Sequence, residues 1–299
     1  ATNKEERLNL STMQSTFRLI FTGVAMVLPG ILISKFGMVN GVMNTEVGIR
    51  KTVILITILS VLGIYACVFF LKEKQLTQNR PKSESLGFMK SVSHLKDKEI
   101  ILYFLGYFFF FCGFNILRGD LTYYLSAVMQ KDIKFLTVIS VILFGMAGMF
   151  FPITNKFGKK YSYKKVLIAD MLLLIAGTFG LLFINKNTST FAYVFFIICG
   201  TGLSGAAFIF PQAMLSEISA KLSETKKVSL EGFMFGIQGM FLKLAFLVQQ
   251  VVQSTLLVVG NNNTEGVKGA TELGVKVTLV VALVLFAASL FFYNLKKED

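Results

Sequence analysis

The chain has 299 residues, of which 54% are hydrophobic, 13% aromatic and 16% charged, and its mean hydropathy is +0.65. Soluble domains carry about 45–50% apolar and about 25% charged residues, so the composition excludes a soluble enzyme. The net charge of +13 would suit nucleic acid in a soluble chain, but here Lys and Arg fall in short segments between apolar runs and read as membrane orientation.

Eight apolar runs follow in order, over 16–34, 52–71, 100–127, 135–153, 166–184, 190–214, 232–258 and 275–293. Apolar runs of about 18 residues or more predict transmembrane helices. Barrel strands would be about ten residues long and strictly alternating. The expected fold class is therefore an all-α membrane protein, an eight-helix bundle. One alternating set of connecting segments (1–15, 72–99, 154–165, 215–231 and 294–299) holds nineteen Lys and Arg, and the other set holds eight. The richer set predicts the cytoplasmic side, with both ends of the chain on it.

The spans are unevenly spaced. After the second, residues 72–98 are polar and charged, with Pro81, Ser83, Ser85, Ser91 and Ser93. They read as a cytoplasmic linker with one short amphipathic helix around Leu86, Met89 and Val92. Two spans, a linker and six spans fit a two-half transporter lacking its first four helices. The expected domains are 1–71, the last two helices of one half; 72–98, the linker; and 99–299, a complete second half. The start at Ala1 reads as a cut. Cys67, Cys112 and Cys199 are scattered through apolar runs, and His94 is the one histidine. This gives no metal spacing, disulfide framework or catalytic constellation, so neither an enzyme nor a bound cofactor is expected. No secretory leader pattern occurs, and Asn262-Asn263-Thr264 reads as a flexible outer loop.

Several motifs resemble a known family. Asn155-Lys-Phe-Gly-Lys-Lys160, including Gly158, Lys159 and Lys160, resembles the Gly-basic cytoplasmic loop of the major facilitator superfamily. Phe208-Ile-Phe-Pro-Gln-Ala-Met-Leu-Ser-Glu-Ile218 and Glu231-Gly-Phe-Met-Phe-Gly-Ile-Gln-Gly-Met-Phe-Leu-Lys243 resemble helices ten and eleven of the glycoside–pentoside–hexuronide:cation symporters, the melibiose permease group. Tyr123-Tyr-Leu125 is similar to that group's end of helix seven, and Glu6-Arg-Leu8 with Leu10-Ser11 to its entry into helix five. The resemblance implies a major-facilitator-type bundle whose eight spans are helices 5–12 of twelve. It implies alternating-access symport of a sugar or glycoside with Na+ or H+, the main cation site lying in the first four helices. It further implies a monomer in a bacterial plasma membrane, its partners a small polar solute and the lipid bilayer, without nucleic acid. Ala220-Lys-Leu-Ser223 departs from the family's acidic loop, and the family's helix-five arginine falls on Gln14, one turn before Arg18.

Ionisable groups inside spans are functional candidates by default. Lys243 lies about 20 Å into its span at 1.5 Å per residue, too deep to reach water easily, and needs a cavity or a carboxylate. Gln238 matches a polar cavity position of the family. Asn115, Arg118, Asp120, Tyr123 and Tyr124 form a polar outer segment, read either as the outer side of a substrate cavity or as interfacial capping with an aromatic belt. Arg18 and Gln14 join the cavity set. Asp170 and Glu217 join Gly158, Lys159 and Lys160 as a cytoplasmic gate. Gln249 and Gln253, four apart, read as a wet wall or an interhelical seam, and the Phe104–Phe114 cluster reads as packing. A lysolipid transporter, or a membrane protein without transport, is the alternative.

Overall fold

The computed structural model describes residues 4–39, 42–70, 97–131, 135–226, 230–260 and 269–295. The expected linker helix, His94 and the Asn262-Asn263-Thr264 loop lie outside the described residues. The eight apolar runs fall mainly on helical segments. Among the described residues, six helical segments are long and apolar enough to cross a membrane, against the eight spans expected: Glu46–Phe70, Lys98–Val128, Phe135–Lys160, Ser189–Ser223, Glu231–Leu256 and Glu272–Leu295.

In chain order the described elements begin with α1 (Lys4–Gly37), the two-residue strands β1 (Met38–Val39) and β2 (Val42–Met43), and α2 (Thr45–Phe70). Next come α3 (Lys98–Tyr123) with a π-turn (Tyr124–Val128), α4 (Phe135–Lys160) and α5 (Tyr163–Leu181). Then follow α6 (Ala192–Leu203), a second π-turn (Ser204–Ile209) and α7 (Phe210–Lys226), running without a break. Last are α8 (Glu231–Leu256) and α9 (Glu272–Leu295).

The chain divides into two compact units, Ile20–Glu84 and Ala1–Leu19 with Ser85–Asp299. In the smaller unit, β1 and β2 pair antiparallel, Met38 with Met43 and Val39 with Val42. Asn44 opens α2 by accepting the Val47 amide at 3.1 Å, the side-chain cap that an N-terminus needs. Ile58, Leu62, Tyr65 and Phe69 on α2 are exposed, as expected of a helix whose solvent is lipid.

The larger unit is organised around α3. Asp97 caps it by accepting the Glu99 amide at 3.0 Å. It is buried almost all round, from Ile100 to Leu121, between α8 and α9. Close approach to α9 is set at Gly113, where a Cβ would meet the Phe286 ring at 2.9 Å and the Ala282 carbonyl at 3.0 Å. Aromatic contacts fill the rest: Phe110 lies tilted against Phe286 at 5.7 Å and Phe104 stacks on Phe241 at 5.3 Å between centroids. Of the phenylalanine cluster, Phe104, Phe110, Phe111 and Phe114 are core residues.

The segment from α6 to α7 gives the unit its irregular backbone. Pro211 has no amide hydrogen, and the π-turn just before it widens the helix by one residue. Two serines on α1, four residues apart, meet that turn. Ser11 donates to the Ile209 carbonyl at 2.5 Å and Ser15 to the Phe208 carbonyl at 2.6 Å. Asn155 on α4 donates to Thr12 at 2.6 Å, a further tie to the start of α1.

Candidate functional site

Three cations of the larger unit lie against two phenylalanine rings. Arg18 on α1 is exposed, with its guanidinium carbon 5.9 Å from the Phe208 ring centre in the π-turn. Arg118 on α3 and Lys243 on α8 share one ring, Phe246, at 5.6 Å and 5.9 Å. Arg18 is close enough to Arg118 for their like charges to repel, and Tyr107 also lies within its electrostatic reach. Cation–π contacts of this kind are worth about 0.5–2 kcal/mol, rising with desolvation. Asn115, three residues before Arg118 and so on the same side of α3, is 1% exposed, and its amide nitrogen has no partner. Gln14, one turn before Arg18, is exposed. Arg18, Arg118 and Lys243 thus form an aromatic-backed group of cations, with Gln14 one turn away on α1 and Asn115 one turn away on α3.

Gln238, Asp120 and Tyr124 of the expected cavity set are buried in hydrogen bonds between elements. Gln238 is buried and donates to the Tyr103 hydroxyl at 2.7 Å, and Tyr103 donates to the Pro211 carbonyl at 2.7 Å. This relay ties α8 to α3 and α7. Asp120 is buried between two neutral donors, Gln253 of α8 at 2.8 Å and Thr278 of α9 at 2.6 Å, while Gln249 donates to Gln253 at 2.9 Å. Tyr124 is buried and donates to the Leu181 carbonyl at 2.8 Å, whereas Tyr123 is exposed.

At the other end, the residues named as a gate divide into two groups. Lys159 pairs with Glu5 at the start of α1 at 2.8 Å, with both side chains partly in solvent. Lys160 lies 5.4 Å over the Tyr161 ring, and Gly158 is buried against Leu8 and Phe210. Glu217, on α7, is half-buried. Asp170 is separate from these. It is buried on α5, its Oδ2 lies against Gly205 with no hydrogen-bond partner, and it lines a cavity of about 350 Å³ between α4 and α5. Among the described residues no cluster of three or more His, Cys, Asp or Glu could hold a metal ion.

The sequence did not single out Glu5, Ser15 or Phe246, and it offered Ser11 and Phe208 only as parts of motifs, without their contacts. The i, i+4 spacing of Ser11 and Ser15 before an apolar run is a usable signal for a hydroxyl seam. The rings carry none, because their use depends on which helix faces them.

A family model described as MFS/sugar transport protein matches residues 1–297. Comparison with curated proteins gave no match.

Proposed function

Because the chain belongs to the MFS/sugar transport protein family, we propose that it is a secondary transporter. It moves a sugar or glycoside together with a coupling cation, Na+ or H+, by alternating access. Within the superfamily it groups with the melibiose-permease-like symporters. Its eight helical runs take the places of helices 5–12, and 99–299 forms a six-helix half behind a cytoplasmic linker at 72–98. Both ends face the cytoplasm of a bacterial plasma membrane, and the protein works as a monomer. The motif matches and the nineteen-to-eight distribution of Lys and Arg support this reading.

One observation carries it: Arg118 and Lys243, on different helices, flank a single Phe246 ring, with Arg18 held nearby on Phe208. A lysine as far into its span as Lys243 is costly unless it faces a wet cavity or a partner. Guanidinium and ammonium donors beside flat aromatic faces can hold solute hydroxyls while the rings stack on the solute's apolar side. The test is uptake of labelled glycosides into cells or proteoliposomes, with and without Na+ and pH gradients. Gradient-dependent uptake that Lys243→Gln and Arg118→Gln abolish is expected. Uptake untouched by both substitutions overturns the site, and uptake of a lysolipid in place of any glycoside overturns the solute class.

A further inference from the structure

The α4–α5 cavity holds a carboxylate that the ring-bound cations do not explain. Its rim is apolar and exposed, with Ile153, Phe157 and Leu173, and Tyr161 and Lys165 at one end. Its inner wall holds Thr154 and Asp170, 3% and 7% exposed. Thr154 is bonded to Ser204, the first residue of the second π-turn, at 2.6 Å. The next residue, Gly205, leaves the Asp170 carboxylate room that a side chain would take, since a Cβ there would collide with Oδ2. Oδ2 itself has no hydrogen-bond partner.

Of the titratable or charged groups on the elements around it, Lys165 on α5 and Tyr161 just after α4 line the cavity together with Asp170. Among the described residues no cation forms an ion pair with Asp170. An ionised carboxylate in this position has no counter-charge and an incomplete set of donors, and both deficits are expensive in a membrane. The least costly way to keep it buried is to neutralise it.

We propose that Asp170 is a proton-binding site, reached through the α4–α5 cavity and set against the π-turn between α6 and α7. Oδ2 takes the proton from a hydronium ion, leaving water and a neutral carboxyl, and returns it to water when the site ionises. Binding at this position couples charge to backbone geometry, because an ionised Asp170 must draw donors or water toward Ser204 and Gly205. The site lies apart from the ring-bound cations and does not depend on which solute the protein carries.

The experiment is labelling of the purified wild-type protein, in lipid nanodiscs, with dicyclohexylcarbodiimide. This apolar reagent modifies protonated carboxyls within membranes, and the site is located by peptide mass spectrometry. Labelling is expected at Asp170 and is expected to fall about tenfold per pH unit once the carboxyl ionises. Asp170→Asn should abolish that label, and Asp120→Asn should leave it in place. A second measurement, the infrared carboxyl stretch, should show a pH-dependent band missing only from Asp170→Asn. Labelling of Asp120 with none at Asp170 overturns the proposal. So does protection of Asp170 by Na+ at constant pH, which would make the ligand a metal cation.

Discussion

Arg118 and Asp120 are two residues apart on α3, and their surroundings differ sharply. Both oxygens of Asp120 accept hydrogen bonds, from Gln253 and Thr278, and a second glutamine backs the first. Arg118 lies against one face of Phe246, which Lys243 shares from the other helix, and three residues earlier Asn115 keeps a buried amide without a partner. Satisfied polar groups hold helices together, because every donor has an acceptor and water has no reason to enter. Unsatisfied donors clustered on aromatic faces are poor glue, and they suit a surface that expects something to arrive. Two charged residues on one helix turn thus split into a fastening and a proposed receptor according to their partners.

The contrast can be broken experimentally, the largest effect first. Lys243→Gln and Arg118→Gln should each lower solute uptake tenfold or more, corresponding to about 1.4 kcal/mol per factor of ten. Thermal unfolding in detergent should barely move, and a large fall in melting temperature would move these cations to the fastening side. Asp120→Ala should do the reverse. It strands two buried donors at a cost of about 1–3 kcal/mol, read as a lower unfolding temperature, while uptake per folded molecule is retained. Thr278→Val removes one bond of that seam and should cost about 0.6 kcal/mol in the same measurement, the average for such bonds between membrane helices. Lys159→Ala should have the smallest effect, below about 1 kcal/mol, because its partner Glu5 is largely exposed. That difference should shrink further as salt is added.

The sequence made the helices legible because hydropathy reports which residues avoid water, and lipid makes that signal long and continuous. It also offered the seam between Gln249 and Gln253 through their spacing of four, although it could not supply Asp120 as the acceptor, which lies 133 residues away from Gln253. Gln238 illustrates the limit more clearly. A glutamine in a membrane helix reads equally as cavity lining or as interhelical bond, and only the position of Tyr103 decides between them. The contacts of Ser11 and Ser15 were hidden for a related reason. They reach carbonyls nearly 200 residues further along the chain, on a stretch where Pro211 signals a break in the backbone ladder but not which helix meets it. Phe246 looks like any other lipid-soluble ring until α3 and α8 are brought face to face.

The π-turn at Ser204–Ile209 also has a consequence for comparing chains by length. A π-turn amounts to one residue added to an α-helix, and one residue corresponds to about 100° of helical rotation. Everything from Phe210 onward, Pro211 and Glu217 included, is therefore presented about a quarter-turn away from where an unbroken helix would aim it. A relative whose corresponding helix is one residue shorter would keep the same composition and turn a different set of side chains inward. Single-residue insertions and deletions in this stretch would then change which face of the helix meets its neighbours, an effect that substitutions at the same positions do not produce.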